Sequence, residues 1–313
     1  MTRALVFPGQ GSQAVGMGRE LSLAFGTARD VFAETDEALR QNLSRLMFEG
    51  PESELTLTEN AQPALMAVSL AVARILEKDG GFDLKRRAAF VAGHSLGEYS
   101  ALAAAHALEL ADAARLLKRR GLAMQRAVPI GVGAMAALLG LEIDAAREVA
   151  KEAAQGEVCD TANDNGPGQV VVSGHKAAVE RAIAIAGERG ARRAIMLPVS
   201  APFHCALMKP AADEMAQALA EVRLKEPLVP LIANVTAMSV RDPDEIKALL
   251  VRQVTELVRW RECVLAMKEN GVDGLVELGA GRVLSGLAKR IDRDITTAAI
   301  GAPAEIEAFL KSM

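Results

Sequence analysis

The sequence predicts an α/β protein that has a parallel-sheet core and a smaller inserted domain. Apolar segments at residues 3–7, 87–92 and 274–278 indicate buried strands, and helical patterns separate them. Residues 93–97 form a Gly-x-Ser-x-Gly turn between a strand and a helix. Residues 129–199 follow the order β-α-β-β-α-β, which is typical of a ferredoxin-like unit. Together these patterns predict two domains, each with its own sheet.

The first part of the large domain, residues 1–128, alternates apolar strands with helices. A nearly all-apolar segment from residue 60 to about 78 predicts an interior helix, with Pro63 in its first turn. An Ala-rich helix follows the Gly-x-Ser-x-Gly turn, over residues 96–107. A further amphipathic helix is expected over residues 112–127.

The small domain is expected to span residues 129–199, and the large domain to resume over residues 200–313. Polar residues 163–168 predict a turn between two of the small domain's strands. Its predicted strands and helices are strand 135–141, helix 144–155, strands 158–162 and 169–173, helix 175–189 and strand 193–199. The returning large domain is expected to contain helices 205–219 and 244–256, strands 229–234 and 274–278, and a last strand and helix.

Composition excludes several classes of protein. The chain has 313 residues, a net charge of −4 with both signs interspersed, and three cysteines without paired or metal-type spacing. These features argue against a nucleic-acid partner, a disulfide framework and a metal site. The longest uncharged runs contain Gly or Pro, and the N-terminus lacks the apolar stretch of a signal peptide. We therefore expect a cytoplasmic protein without membrane spans.

The Gly-x-Ser-x-Gly turn points to Ser95 as a nucleophile. Flanking glycines let the backbone turn sharply without crowding the serine, as in a nucleophile elbow. The next helix begins at this turn, so its free N–H groups face whatever the serine attacks. Small-residue turns between strands and helices are also common, so the pentapeptide alone leaves a purely structural turn open.

A serine nucleophile needs a base, and the sequence contains four histidines. His94 is adjacent to Ser95, where neighbouring side chains diverge at a tight turn. His106 lies too far along the helix, and His175 stands at a predicted helix start. His204 lies where the chain re-enters the large domain, where a cleft is expected. His204 is the best candidate by elimination, and because no acidic partner stands out, a dyad held by another acceptor is plausible.

Arg120 lies on the apolar stripe of its helix, with Leu116, Leu117 and Met124 three or four positions away. A buried guanidinium is costly unless it has a partner. That partner is either a carboxylate of the protein, in a structural ion pair, or the carboxylate of a substrate held by paired hydrogen bonds.

Residues 9–14 match Gly-x-Gly-x-x-Ala, a weak dinucleotide-binding pattern. A nucleotide site also needs a second strand that ends in an acidic residue about 20 positions on, but residues 29–40 show a helical pattern instead. The segment is better explained as a loop that brings backbone N–H groups close to a reacting centre.

Taken together, these motifs resemble the malonyl-CoA:acyl carrier protein transacylase family of bacterial fatty acid synthesis over essentially the whole chain. The matching segments are residues 7–13, 62–65, 93–100, 120–121, 165–174, 200–204 and 234–236, and Gln253 with Trp260. The resemblance implies an α/β-hydrolase-like large domain with a ferredoxin-like insert, in agreement with the predicted element order.

The resemblance also implies roles for the catalytic residues. Ser95 corresponds to the acyl-accepting nucleophile and His204 to the general base and acid. Gln253 corresponds to the residue whose backbone carbonyl holds the imidazole. The backbone N–H groups of Gln10 and Leu96 would form the oxyanion hole.

Further residues are expected to bind the substrate. Arg120 matches the arginine that binds the free carboxylate of malonate. Gln62, Asn165 and Gln169 are similar to residues that line the cleft, and Phe203 resembles the malonyl-selecting pattern. The implied substrates are malonyl-CoA and acyl carrier protein, no metal or other cofactor is implied, and the chain is expected to be monomeric.

Two other functions fit part of the pattern. A serine esterase or thioesterase would share the elbow and the dyad, with water as the acceptor, but would have no use for a buried cation such as Arg120. A noncatalytic carrier-protein-binding module would form no acyl-serine.

Overall fold

Two β-sheets organise the chain in the computed structural model, which describes residues 2–312. The strands are β1 (Arg3–Phe7), β2 (Phe90–Gly93), β3 (Gly133–Leu139), β4 (Cys159–Gly166), β5 (Gln169–His175), β6 (Arg193–Met196), β7 (Leu231–Ile232), β8 (Ser239–Val240), β9 (Gly274–Leu278) and β10 (Thr296–Ile300). Six of them form one sheet in the order β10-β9-β1-β2-β7-β8, and four form the other in the order β4-β5-β3-β6.

The helices pack on these sheets and on one another. They are α1 (Arg19–Ala24), α2 (Gly26–Leu39), α3 (Leu43–Glu49), α4 (Glu52–Leu55), α5 (Thr58–Arg74), α6 (Leu84–Arg87), α7 (Gly97–Ala104), α8 (Leu110–Ala127), α9 (Ile143–Ala154), α10 (Lys176–Glu188), α11 (Lys209–Glu221), α12 (Pro243–Gln253), α13 (Trp260–Glu269), α14 (Val283–Ile291) and α15 (Pro303–Lys311). A π-helical turn follows α5, and a 3₁₀ turn precedes α11.

The six-stranded sheet is parallel except at its edge. Strand β1 lies in the middle, where Ala4 pairs with Phe90 of β2 on one side and with Leu275 of β9 on the other. Only β8 runs antiparallel, against β7. Helices cover both faces of such a sheet, which explains why its strands are continuous apolar runs. The predicted α/β class and parallel core are confirmed.

The four-stranded sheet is antiparallel throughout. The turn predicted over residues 163–168 is wrong in extent, because β4 continues through Asn163 and Asp164 to Gly166. These polar residues stay in the strand because their backbones pair with β5, across two irregularities in register. Strand β4 also bonds to the segment before α13: the Asp164 N–H donates to Val258 O at 2.9 Å, and the Val258 N–H donates to Ala162 O at 2.9 Å.

Helix α5 is the interior helix that the apolar segment predicts, and 14 of its 17 residues are buried. It begins at Thr58, so Pro63 lies in its second turn and not in its first. Helix α8 packs closely against it: a Cβ atom on Gly121 would lie 2.5 Å from the Glu59 Cα atom. The glycine allows this contact because it has no side chain.

Several other boundaries differ from prediction. The strand predicted over residues 87–92 begins only at Phe90, because residues 84–87 form the short helix α6. The helix after the elbow ends at Ala104, three residues early, and the strand predicted over 229–234 is reduced to two residues. Within residues 2–312, no helix combines the length and the apolar character needed to span a membrane.

Glycines on both sides of Ser95 are required by close contacts between β1, β2 and α7. A Cβ atom on Gly93 would lie 1.8 Å from the backbone carbon of Gly97. A Cβ atom on Gly97 would lie 2.2 Å from the carbonyl oxygen of Phe7 in β1. The start of α7 is therefore pressed directly against the end of the central strand.

We predict that Gly97→Ala lowers stability by about 2 kcal/mol or more, because backbone atoms must shift to admit the methyl group. Gly187→Ala is the matched control, since Gly187 is also helical but a Cβ atom there has no neighbour within 4 Å. The control is expected to be neutral or stabilising by up to ~1 kcal/mol. Denaturant unfolding of both variants tests this; equal stabilities would contradict the close contact.

Candidate active site

A cavity of about 770 Å³ opens at the carboxyl ends of β1 and β2. Crevices at this end of parallel strands are the usual ligand sites of α/β sheets. Its lining residues are Gln10, Gly11, Gln13, Glu52, Thr56, Leu57, Gln62, His94, Ser95, Leu96, Arg120, Met124, Met135, Asn163, Leu197, Pro198, Val199, Ser200, Phe203 and His204. Residues around the six-stranded sheet and residues of the antiparallel sheet both contribute to these walls.

Ser95 stands at the turn between β2 and α7 in a left-handed conformation, with φ 53°. Such a backbone is unfavourable for a residue other than glycine and persists only where its surroundings fix it. Asn234 fixes it here. The Ser95 N–H donates to Asn234 Oδ1 at 2.8 Å, and Asn234 Nδ2 donates to Gly93 O at 2.7 Å.

His204 is the imidazole beside the serine, although 109 positions separate the two residues in the chain. Its Nε2 lies 2.8 Å from Ser95 Oγ, and its Nδ1 lies 2.7 Å from the backbone carbonyl oxygen of Gln253. A carbonyl can only accept, so Nδ1 carries the proton and Nε2 is left to accept from the serine hydroxyl. Burial, and then the nearby Arg120 charge, lower the pKa of His204 to about 3. The imidazole is therefore neutral near pH 7.

The other three histidines have other partners. The Nε2 atom of His94 lies 2.8 Å from Asn165 Oδ1, so this side chain points to the antiparallel sheet and not to the serine hydroxyl. His106 lies two residues after the end of the elbow helix, and its Nε2 atom is 2.7 Å from Glu77 Oε1. His175 precedes α10, and its Nδ1 accepts a backbone N–H. None of the three contacts the Ser95 hydroxyl.

The backbone N–H groups of Gln10 and Leu96 are available at the cavity. Leu96 precedes the first residue of α7, and Gln10 belongs to the glycine-containing loop after β1. Within the described part of the chain, neither N–H donates to a protein acceptor. Unpaired N–H groups beside a nucleophile can bind a developing oxyanion.

Arg120 is 2% exposed and reaches the serine from α8. Its Nη1 donates to Gln62 Oε1 at 2.8 Å, and its Nη2 donates to Ser95 Oγ and to Gln253 Oε1, both at 3.0 Å. Among residues 2–312, the Nε atom of Arg120 has no hydrogen-bond partner, and no ion pair involves Arg120. The protein thus holds this cation with neutral acceptors. A structural ion pair therefore does not explain the burial of Arg120, and a substrate carboxylate remains as its expected partner.

Phe203 and Gln62 line the cavity as expected, whereas Asn165 and Gln169 do not. The Asn165 side chain is taken up by His94, and Gln169 Oε1 accepts from Arg290 at 3.0 Å at the surface. The expected place of Asn165 and Gln169 in the cleft is wrong, because both side chains are bonded elsewhere. Asn163, two residues before Asn165 in β4, is the asparagine that lines the cavity, and the pairing of β4 with β5 changes register between Asp164 and Gly166.

Sequence reasoning gave no role to Glu98, although it is 1% exposed beneath the serine. Its carboxylate accepts from the Asn234 N–H at 2.6 Å and from the Gln253 side-chain amide. Burial raises the pKa of Glu98 above its ordinary value, and the hydrogen bonds from Asn234 and Gln253 and the Arg120 charge oppose this shift. Both oxygens nevertheless accept from N–H donors and neither faces an acceptor, so we assign the ionised form. One signal was available: Glu98 is the only Asp, Glu, Lys or Arg between residues 88 and 108.

Comparison with known proteins identifies the family of the chain. The family model described as the acyl transferase domain matches residues 4–300. The chain is 46% identical over 308 residues to the malonyl CoA-acyl carrier protein transacylase of Escherichia coli (strain K12), with 98% of each chain covered. An acyl-carrier-protein-S-malonyltransferase from Bartonella henselae superimposes with a TM-score of 0.97 at 54% identity, over 100% of this chain and 99% of that one.

A further similar structure is a malonyl-transacylase solved in complex with its type II PKS acyl-carrier protein. It is 43% identical, has a TM-score of 0.96 and is covered completely by this chain. The family model spans most of the chain, and the identity to the named relatives extends over its full length. The chain belongs to the malonyl CoA-acyl carrier protein transacylases, within the acyl transferase family.

Proposed function

We propose that this protein transfers a malonyl group from malonyl-CoA to the phosphopantetheine thiol of acyl carrier protein. The observation that carries the proposal is the Arg120 guanidinium, which is buried without a carboxylate partner and lies 3.0 Å from the Ser95 hydroxyl. A carboxylate on the acyl group would complete this cation by charge-assisted hydrogen bonds. The names of the relatives support the same pair of substrates.

The first half-reaction loads the serine. His204 Nε2 takes the proton of Ser95 Oγ as the oxygen attacks the thioester carbonyl carbon. The carbonyl oxygen becomes an oxyanion, which the N–H groups of Gln10 and Leu96 stabilise by a few kcal/mol each. The intermediate collapses, the carbon–sulfur bond breaks, and the CoA sulfur leaves with the proton from His204. The products are a malonyl-serine ester and CoA.

The second half-reaction reverses these roles with a different thiol. His204 takes the proton of the phosphopantetheine thiol, and the sulfur attacks the ester carbonyl in the same oxyanion hole. Ser95 Oγ leaves and recovers its proton from His204. Because one site serves both substrates in turn, the kinetics are ping-pong. Every group used belongs to the protein, so the proposal includes no cofactor.

Selection among acyl groups follows from desolvation. A bound acetyl group would share the cavity with the buried guanidinium and offer it no carboxylate, whereas a malonyl group satisfies it. A site built to bind a polar group rejects analogues that lack it, because its own buried groups are left unpaired. Phe203 beside His204 is proposed to limit the space next to the malonyl α-carbon.

The proposal extends to the architecture and the location of the protein. We assign residues 1–128 and 200–313 to an α/β-hydrolase-like catalytic domain, and residues 129–199 to a ferredoxin-like domain. The six-stranded sheet with its nucleophile turn supports the first assignment, and the strand order β4-β5-β3-β6 supports the second. A cytoplasmic location is supported by three free, buried cysteines.

Incubation with malonyl-CoA alone is expected to add one malonyl group to the peptide that contains Ser95. Mass spectrometry of the digested protein measures this, with Ser95→Ala as the unmodified control. Addition of acyl carrier protein should then remove the label from the serine and place it on the carrier. Release of free malonate at the same rate without the carrier would instead indicate a thioesterase, and an unmodified serine would remove the covalent mechanism.

Arg120→Ala is expected to lower kcat/KM for malonyl-CoA by about a hundredfold or more, because paired charge-assisted hydrogen bonds are lost. Transfer of an acetyl group should be retained or increase. Arg120→Lys keeps the positive charge but lacks the planar guanidinium. Its kcat/KM for malonyl-CoA should lie between those of the unaltered protein and Arg120→Ala. Steady-state rates with both thioesters test this, and an equal loss for malonyl and acetyl groups would exclude a role in selection.

The lowered pKa of His204 predicts an unusual pH profile. A protonated imidazole cannot act as the base, but a pKa near 3 keeps His204 neutral throughout the range from pH 7.5 to 5.5. The value of kcat/KM for malonyl-CoA, which reports the free enzyme, should therefore not fall across this range. An ordinary histidine of pKa ~6.5 would lose about tenfold by pH 5.5. A tenfold decline centred near pH 6.5 would contradict the buried, neutral base.

A further inference from the structure

We propose that Glu98 is a positioning residue that holds Arg120 ready for the acyl carboxylate by fixing the side-chain amide of Gln253. This inference rests on the proposed malonyl transfer. Glu98 touches neither the cavity nor the reacting atoms, so it acts through its neighbours. The geometry to be explained is a buried carboxylate and a buried guanidinium that do not meet, with one amide between them.

The orientation of the Gln253 amide is fixed by its surroundings. Its Nε2 faces three acceptors, namely the Glu98 carboxylate, the Ser95 carbonyl oxygen at 3.0 Å and Asn234 Oδ1 at 3.3 Å. Its Oε1 faces Arg120 Nη2 at 3.0 Å. The reversed amide would set its oxygen against three acceptors and its NH₂ group against a guanidinium. Glu98 is the only charged acceptor of the three and therefore contributes most to this orientation.

Gln253 connects both functional side chains through different atoms. Its backbone carbonyl accepts from His204 Nδ1, and its side-chain oxygen accepts from Arg120. The link from Glu98 to Arg120 can therefore be cut without removing the acceptor for His204. This separation makes the inference testable against the base itself.

The second oxygen of Glu98 supports the nucleophile turn. It accepts the backbone N–H of Asn234, whose side chain accepts from the Ser95 N–H and donates to the Gly93 carbonyl. A residue with only this supporting role would affect every acyl donor alike when it is changed. A residue that also aims Arg120 would affect donors with a carboxylate more.

The amide relay keeps the guanidinium available. A carboxylate in direct contact with Arg120 would compete with the substrate for the same N–H donors. Through Gln253, the negative charge of Glu98 orients the cation without occupying it, and Arg120 Nε stays without a partner. The protein stabilises the buried cation and still leaves it free to bind a substrate carboxylate.

The test measures Ser95 acylation rates with malonyl-CoA and with acetyl-CoA on Glu98→Gln. The amide at position 98 has one oxygen and one NH₂ group. It therefore cannot accept from both the Asn234 N–H and the Gln253 amide as the two carboxylate oxygens do, and the Gln253 side chain loses its fixed orientation. We expect the ratio of the malonyl rate to the acetyl rate to fall about tenfold, as expected for the loss of one hydrogen bond to a charged group. Loss of negative charge alone would strengthen the attraction between Arg120 and a carboxylate and would raise this ratio. An unchanged or raised ratio would therefore overturn the positioning role.

Two further variants separate positioning from general damage. Glu277→Gln alters another fully buried carboxylate, one that accepts two backbone N–H groups at the start of α14 away from the cavity. It should lose stability without a change in the ratio. Gln253→Met keeps the backbone carbonyl for His204 and removes the relay, so it should lower the ratio of the malonyl rate to the acetyl rate as far as Glu98→Gln does.

In the double variant Glu98→Gln/Gln253→Met, the ratio of the malonyl rate to the acetyl rate should be no lower than in Gln253→Met alone, because both changes cut the same link. If the two single effects on the ratio multiply in the double variant, the relay is overturned. If Glu98→Gln fails to fold, Gln253→Met decides, and an unchanged ratio there rejects the inference. Absence of malonyl transfer by the unaltered protein would reject the proposed function instead, so the two failures are distinguishable.

Discussion

The sharp turn that presents Ser95 is the constraint on which the rest of the site depends. The end of β2, the start of α7 and the end of β1 meet there so closely that Gly93 and Gly97 can carry no side chain. Ser95, which stands between these two glycines, adopts a left-handed backbone conformation. Because Asn234 satisfies the backbone at this turn, the hydroxyl is fixed in the cavity with an unpaired amide beside it.

Around this turn, the main electrostatic problem is a buried positive charge. Arg120 is surrounded by amide oxygens, an aromatic ring at 5.9 Å and a carboxylate one amide away, and no acidic side chain contacts it directly. Desolvation makes such a charge costly, and the cost is recovered when an anion arrives. The same charge disfavours protonation of His204 and keeps that imidazole in the form that a base requires.

The arrangement joins two sheets that form separate hydrogen-bonded units. Strand β4 bonds to the backbone at Val258, and the segment after β6 returns over the cavity towards His204. Ser95 and Arg120 thus come from the six-stranded sheet and its helices, while part of the cavity wall comes from the four-stranded sheet.

The sequence by itself determined the α/β class, the nucleophile turn, the two sheets and the choice of Ser95 and His204, because glycine spacing, apolar periodicity and the scarcity of histidine are local or countable features. Only the tertiary structure decided that Asn163 and not Asn165 lines the cavity, since backbone pairing outweighed the turn propensity of polar residues. It also decided how Glu98, Asn234 and Gln253 meet. The two contacts of Glu98 join residues more than a hundred positions apart, and no local pattern encodes which buried polar groups will satisfy one another.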